Sequence, residues 1–277
     1  MGFRINTNVS SLAAQRSLSV NNREAETNLN KLSSGSRITR AADDAAGLAI
    51  SEKMKSSIRS LKQADRNAND GISMIQTAEG GLNEVSSILT RMRELAVQTS
   101  SDTVGDTERD MTNMEYQNLK LELERISQVT EFNGKKLLNG EGKMYEFQVG
   151  INNDNFNDRI GYDASQANSR IDALGVDELE VATKEGSQGS LAALDSAITK
   201  VSGQRAFLGA IQNRLVSTSN NLQINTENLS AANSRIRDVD YAEATAVKAK
   251  NDILSAAGTS VLAQANMSGQ NALKLIG

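Results

Sequence analysis

Hydrophobic residues recur every three or four positions through most of the chain, and this spacing predicts long helices. The most regular stretch runs from Ile50 to Ala96 in alternating steps of four and three residues. A period of 3.5 residues is typical of a coiled coil or a long bundle helix. At a rise of 1.5 Å per residue, one helix over this stretch would be roughly 70 Å long. We assign Ile75, Leu82 and Leu89 to its packing seam.

A second hydrophobic seam lies in the C-terminal half, where an apolar residue occupies every seventh position from Leu194 onward. Leu208, Leu215 and Leu222 form its centre. Polar residues flank these positions, which indicates a helix that touches only one or two neighbours. Between the two seams, apolar residues at helical spacing predict a shorter helix over about 107–130.

The two ends of the chain carry weaker stripes of the same kind. The stripe near the start comprises Leu18, Ala25, Leu29 and Leu32, and the stripe near the end comprises Val247, Leu254, Val261, Leu262 and Ala265. An isolated helix of this composition is marginal in water, because packing supplies most of the stability of a helix. We therefore expect the ends to be ordered only when they pair with each other and with neighbouring copies.

The middle of the chain, residues 133–187, is the region that predicts β structure. Asn133-Gly134 is a turn signal, and Tyr145 and Phe147 stand at alternate positions of a half-buried strand. Residues 159–162 predict the returning strand. Since the two ends can pair only if the chain doubles back, the predicted fold is mainly α. It is an elongated coiled-coil or helical-bundle rod with a small β-hairpin region at the middle of the chain and paired N- and C-terminal helices.

The residue types that the chain lacks exclude several kinds of chemistry. Its 277 residues include no Pro, Cys, Trp or His, and aromatic residues make up 3%. Without His or Cys, the usual zinc sites and the Cys or Ser–His nucleophiles cannot form. Asp43 and Asp44 would point about 100° apart on a helix, so we interpret them as caps of the long helix. We predict no catalytic residue, no cofactor and no metal site, and hence no enzyme.

Charge and hydropathy bear on partners and location. The net charge of −4 and the lack of a strongly basic patch argue against a nucleic-acid partner. No apolar run approaches the roughly 20 residues of a membrane span, so membrane insertion is not expected. The start of the chain also lacks the apolar stretch of a secretory signal peptide. These patterns alone favour a cytosolic protein.

Two separated motifs resemble those of bacterial flagellins. The first is residues 32–38 (LSSGSRI), continued by residues 42–50 (ADDAAGLAI). The second is residues 257–266 (AGTSVLAQAN), preceded by residues 234–236 (SRI). Because both motifs stand in the order expected for flagellins, the resemblance covers both ends of the chain.

The resemblance implies a structural subunit of the flagellar filament, a homopolymer that serves motility. Residues 1–43 and 237–277 would be the N- and C-terminal helices of an inner coiled-coil domain, and residues 44–236 would form a rod-like helical domain. The short middle segment leaves no room for the outer domains of longer flagellins. Export in this family uses no cleaved signal peptide, which reverses the cytosolic prediction in favour of a secreted, extracellular protein. The implied partners are the flagellar export apparatus, an export chaperone and a cap protein.

Arg91, Leu95 and Glu115 match positions at which host Toll-like receptors recognise many flagellins. The same residues would suit a subunit-contact surface, with Leu95 packed in a groove and the charges paired between subunits. Two alternative functions stay open: a hook–filament junction protein of the same system, and a membrane-active protein that acts through its amphipathic ends. High copy number in sheared filaments would argue against the first, and failure to float with liposomes against the second.

Overall fold

The computed structural model describes residues 7–141 and 143–274. In order, its elements are α1 (Val9–Ser34), α2 (Ala45–Thr99), α3 (Asp106–Val129), β1 (Glu131–Phe132), β2 (Lys135–Lys136), β3 (Met144–Gln148), β4 (Arg159–Asp163), a 3-10 helix (Ala164–Ala167), α4 (Ile171–Leu174), α5 (Lys184–Arg237) and α6 (Tyr241–Lys274). The mainly α fold with a small hairpin region at the middle of the chain is confirmed. Residues 1–6 and 275–277 of the predicted end segments lie outside the described residues.

The chain forms two compact units. The first consists of the described residues up to Ser56 together with those from Asn228 onward, and the second is Ser57–Glu227. The predicted domain boundaries, at 43/44 and 236/237, differ from the boundaries of these units. They lie close to helix ends, since α2 begins at Ala45 and α5 ends at Arg237. The long helices α2 and α5 therefore contribute residues to both units.

The continuous hydrophobic core of the described residues lies in the second unit, where α2, α3, α5 and the segment between α3 and α5 supply it. The predicted seam residues Ile75, Leu82, Leu89, Leu208 and Leu215 belong to this core and are 0% exposed, and Leu222, outside the core cluster, is 6% exposed. The heptad pattern of α2 reaches further than this core does. Seam positions from Leu61 to Ala96 are buried, whereas Ile50, which belongs to the first unit, is 49% exposed.

Two short hairpins follow α3. The first joins β1 to β2 across Asn133 and Gly134, whose φ angles of 50° and 74° suit a two-residue hairpin turn. The second pairs β3 with β4 in antiparallel fashion, and Tyr145 lies opposite Tyr162. Their rings stack with centroids 6.1 Å apart. The second hairpin is the one that the alternation of residues predicted.

This second hairpin packs against α2 at a glycine. A Cβ on Gly71 would lie 3.0 Å from Cδ1 of Phe147, so the ring rests on the backbone of α2. Asn67 of α2 donates its side-chain amide to the carbonyl oxygen of Gln148 at 3.0 Å. The close approach explains why the apolar seam of α2 is interrupted by a residue without a side chain.

Arg109 closes the turn between α2 and α3. Its guanidinium, in a residue only 5% exposed, donates to the carbonyl oxygens of Ser101 at 2.7 Å and Val104 at 3.0 Å, and also to that of Thr99. The last carbonyls of a helix have no partner within the helix, and a cation beside them complements the helix dipole. One buried side chain thus satisfies the end of α2 and the turn that follows.

We expect Arg109→Met to lower the free energy of unfolding of the second unit by about 2–4 kcal/mol, because it leaves buried carbonyls without a donor. The matched control is Arg93→Met. Arg93 pairs with Asp195 at 2.6 Å, with both side chains well exposed, and loss of such a pair should change the unfolding free energy by less than about 1 kcal/mol. Urea titrations followed by circular dichroism measure both values. Equal losses would show that Arg109 does not hold the turn.

Tyr116 makes the stability of the second unit sensitive to alkaline pH. Its side chain is fully buried, and burial raises its pKa to about 12, which the nearby hydroxyl of Ser190 opposes only in part. An unfolded chain would ionise this residue near its ordinary pKa of about 10. The stabilising effect of the neutral hydroxyl is therefore complete below about pH 10 and is lost as the pH rises towards 12.

From about pH 9.5 to 12, the wild-type second unit should lose about 2–3 kcal/mol more of its unfolding free energy than Tyr116→Phe, which has no proton to release. Tyr241→Phe is the control, since that side chain belongs to the first unit and its residue is 58% exposed. It should leave the pH dependence of the second unit unchanged. The same pH dependence in wild type and Tyr116→Phe would contradict the assignment.

Candidate assembly surface

An antiparallel helix pair, α1 and α6, forms the framework of the first unit. α1 follows Asn8, whose side-chain oxygen accepts a hydrogen bond from the backbone N–H of Ser11 at 3.0 Å. Gly35, with a φ of 67°, follows the last residue of α1. α6 follows Asp240, whose carboxylate accepts from the backbone N–H of Ala242 at 2.8 Å. These caps are the usual signals of helix ends, so local sequence fixes where both helices begin and where α1 ends.

Asparagine side chains of α1 bridge the two helices. The amide nitrogen of Asn21 donates to the carbonyl oxygen of Asn251 at 3.0 Å, and that of Asn28 donates to the carbonyl oxygen of Ala244 at 2.8 Å. Both α1 residues are only 9% exposed. Polar amides therefore occupy the seam in which a coiled coil usually places apolar side chains.

Five of the predicted packing residues are half-buried, namely Leu18, Ala25, Leu32, Leu262 and Ala265. A Cβ on Gly258 would lie 3.2 Å from Cδ1 of Leu18, so the two helices approach closely at this point. Near the start of α1, Asn8 donates its amide to the carbonyl oxygen of Ala265 at 2.8 Å. Close approach and amide-to-carbonyl bonds thus recur along the contact.

The other four predicted packing residues lie outside the seam, which corrects the prediction for the single chain. Leu29, Val247, Leu254 and Val261 are 53%, 39%, 46% and 58% exposed. The side of α6 that meets α1 carries Ala244, Asn251, Gly258 and Ala265, which are also seven residues apart. On α6 most of the predicted stripe thus lies beside the contact, where small and polar residues face α1, whereas Leu18, Ala25 and Leu32 of the α1 stripe lie at the contact.

The bridging asparagines are not evident from the stripes of large apolar residues, although the sequence contains a signal for them. Ala14, Asn21 and Asn28 recur at sevens on α1, in parallel with the small and polar heptad of α6. A polar residue at such a position is ordinarily interpreted as exposed. Its burial becomes evident only when a second helix of matching pattern supplies the carbonyl that it binds.

A short backbone pairing joins the segment after α1 to the segment after α5. Ser36 and Asp238 form an antiparallel bridge. The guanidinium of Arg37 donates to the carbonyl oxygen of Ile236 at 2.8 Å, and the side chains of Arg237 and Glu52 form an ion pair. This pairing fixes the position at which α1 and α6 begin to run side by side.

The two adjacent carboxylates before α2 act on the backbone. Asp44 accepts a hydrogen bond from the backbone N–H of Gly47 at 2.8 Å and so caps α2. Asp43 accepts from the backbone N–H groups of Arg40 and Thr39, and these bonds lower the pKa of its carboxyl group. Both side chains are thus engaged in ending one segment and beginning the next.

An open groove of about 850 Å3 lies beside the helix pair. Its lining combines apolar residues such as Val20 and Val247 with charged residues of both signs, among them Arg23, Glu24 and Arg235. Charges of both signs around apolar side chains suit a protein surface better than a small ligand of one charge.

Arg91, Leu95 and Glu115 lie together on the second unit but differ in exposure. The guanidinium of Arg91 binds the carboxylate of Glu115 at 2.9 Å and that of Glu94 at 3.0 Å, and all three side chains are about half exposed. Leu95 is 2% exposed. The expectation of one shared surface is therefore corrected: the charges pair within the chain, and Leu95 belongs to the core.

Within the described residues, no group of three or more Asp, Glu, His or Cys side chains is arranged to hold a metal ion. Across the part of the chain that the structure describes, no helix is both long enough and apolar enough to cross a membrane.

Comparison with protein families gives two matches that together span most of the chain. Residues 5–143 match the bacterial flagellin N-terminal helical region, and residues 191–276 match the bacterial flagellin C-terminal helical region. The first match includes α1, α2 and α3, and the second includes most of α5 and α6. The α1–α6 pair is thus formed by the two matched regions together.

Two flagellar filament proteins are similar to this chain along nearly their whole length, and a solved flagellin structure matches part of it. Flagellin of Bacillus subtilis (strain 168) is 45% identical over an alignment that covers 99% of this chain and 100% of the relative. The flagellar filament 30.7 kDa core protein of Treponema maltophilum is 42% identical, with 98% and 99% covered. The crystal structure of Bacillus cereus flagellin is 31% identical with a TM-score of 0.51, and the match covers 57% of this chain and 88% of that one.

Proposed function

The chain belongs to the bacterial flagellin family, and we propose that it polymerises by burying the outer apolar faces of α1 and α6 against neighbouring copies. Flagellins are structural proteins, and this chain is a structural subunit of the flagellar filament, an extracellular assembly that serves motility. The family assignment sets aside the junction-protein and membrane-active alternatives.

The observation that carries the proposal is the distribution of apolar side chains on the helix pair. The exposed ones are Val9, Leu12, Val20 and Leu29 on α1 and Tyr241, Val247, Ile253, Leu254, Val261 and Met267 on α6, each 39–69% exposed. Among the described side chains of the two helices, the buried residues are Asn21, Asn28, Ala244 and Asn251. A soluble pair with large apolar residues outside and amides inside has its main apolar surface available to partners.

The exposed apolar surface is large enough to offset the cost of association. Covering a half-exposed Leu, Ile or Val contributes on the order of 1 kcal/mol, so the exposed side chains would together contribute on the order of 10 kcal/mol per subunit. This is comparable with the cost of association, about 4–15 kcal/mol. The groove beside the pair carries charges of both signs, which would add specific polar contacts to an otherwise apolar interface.

Secretion and its partners follow from the family rather than from this geometry. The subunit would leave the cell through the flagellar export apparatus, with an export chaperone that covers it beforehand and a cap protein at the growing end. Two features of the sequence suit refolding after export. The chain contains no proline and no cysteine, so neither slow X-Pro isomerisation nor wrong disulfides can delay it.

We expect Leu254→Asp with Val261→Asp to abolish polymerisation at concentrations where the wild type forms filaments. Each loss of an apolar contact should raise the critical concentration about 5-fold, and burial of an unpaired carboxylate should raise it further. Sedimentation and negative-stain electron microscopy at rising protein concentration measure the effect. The matched control is Thr259→Asp with Ser260→Asp, which adds the same charge at exposed polar positions of the same helix.

A complementary truncation tests the same surface. Deletion of residues 1–40 or 240–277 should leave a soluble protein that retains the core of the second unit but forms no filaments. Filaments of either truncated chain, or of the Leu254→Asp, Val261→Asp variant at wild-type concentration, would remove the terminal pair from the mechanism.

A host Toll-like receptor is a further proposed partner, through the exposed charges around Arg91 and Glu115. In a receptor reporter assay, purified monomer should give a response that Arg91→Ala weakens about 10-fold, the loss expected for a charge-assisted contact. Arg125→Ala is the control, since Arg125 forms a comparable exposed pair with Glu122 on α3. No response to the wild-type monomer, when another flagellin activates the same cells, would exclude the receptor as a partner.

A further inference from the structure

The α1–α6 pair has a partly inverted arrangement of polar and apolar residues. The most buried positions of its seam include Asn21, Asn28 and Asn251, at 9%, 9% and 2% exposure, whereas the seam residues Leu18 and Leu32 are only half-buried. On its outside, Leu29 and Ile253 are 53% and 69% exposed. In an ordinary two-helix coiled coil the apolar residues fill the seam, and a single asparagine there already lowers stability. The buried amides and the exposed apolar side chains stand close together along the same helices. The amino-acid composition of these helices therefore does not explain the arrangement.

The hydrogen bonds of the seam are incomplete. Asn21 donates its amide nitrogen to the carbonyl oxygen of Asn251, but its own side-chain oxygen is buried without a partner. The side-chain nitrogen of Asn251 is buried without a partner as well. A buried donor or acceptor that stays unpaired opposes burial of the whole contact. This level of the seam therefore holds the helices less firmly than an apolar one would.

The asparagines are not needed to fix the register of α1 against α6. The bridge between Ser36 and Asp238 already fixes where the two helices start to run together. Every residue of α6 also offers a carbonyl oxygen, so an amide that binds a carbonyl selects one register only weakly. What the amides do control is how strongly α1 and α6 bind each other in a single chain.

We propose that Asn21 and Asn28 keep the α1–α6 pair too weak to close by itself, so that the pair becomes ordered when neighbouring copies cover its outer faces. This inference rests on the proposed function, because the outer faces must be where copies meet. Because the asparagines occupy the seam, apolar side chains of α1 and α6 are left to contact neighbouring copies rather than the other helix of the same chain. The soluble subunit is thereby prevented from nucleating a polymer before it reaches the end of a filament.

The test replaces the amides by the apolar residue that a coiled coil prefers. Asn21→Leu with Asn28→Leu should close the pair in the monomer. Hydrogen–deuterium exchange of the full-length monomer, kept below its polymerisation concentration, should slow at least about 10-fold over residues 9–34 and 241–267. Because the variant is already ordered, it should also polymerise without seeds and at about a 10-fold lower concentration.

The matched control is Asn22→Leu with Asn30→Leu, which makes the same change at exposed positions of α1. Exchange in the control should match the wild type, and exchange in residues 57–227 should be unchanged in all variants, which shows that the second unit stays folded. Protection of the terminal helices that is no greater in Asn21→Leu, Asn28→Leu than in the control would overturn the inference. So would a requirement for seeds that the replacement leaves unaltered.

The two proposals fail in different ways. If Leu254→Asp with Val261→Asp polymerises normally, the outer faces are not the contact and the proposed function falls. If that variant fails to polymerise, while the leucine replacements leave exchange at the control level, the outer faces stand and the role of the asparagines falls.

Discussion

Two helices that lie side by side can cover only one narrow stripe of each other, and the behaviour of this subunit depends on what fills that stripe. In α1 and α6 its most buried positions are asparagine and alanine, joined by amide-to-carbonyl hydrogen bonds, and Leu18 packs against Gly258. Most of the larger apolar residues consequently lie on the outside. A helix pair built in this way gains little from its own closure, and its main source of stabilisation lies in contacts with other molecules.

In the second unit, by contrast, the helices bury their large apolar residues against one another. There α2, α3 and α5 enclose one another's stripes, and the hairpin covers part of α2, so Leu82 and Leu215 have no exposed surface. Arg109 satisfies the turn between α2 and α3 from inside the same unit. One unit of the chain thus has its own core, and the other has an apolar surface that no other part of the chain covers. In the proposed polymer, neighbouring copies cover this surface, so the ends would fold as they assemble.

The sequence predicted the second unit better than the first, for a physical reason. Large apolar residues at sevens, such as Leu82 and Leu208, mark a seam whenever several helices surround it. Val247, Leu254 and Val261 have the same spacing yet lie outside the pair, because a two-helix contact favours small side chains and carbonyl-binding amides. Periodicity also cannot reveal that Arg109 reaches back to the end of α2, or that Leu95 points into the core while Arg91 stays on the surface.

Electron cryo-microscopy of the filament tests the central claim most directly. The account predicts that Leu254 and Val261 are covered by neighbouring copies, while the amides of Asn21 and Asn28 still face α6 of their own chain. A filament in which Leu254 and Val261 remain open to solvent, with subunits joined only through the second unit, would contradict it.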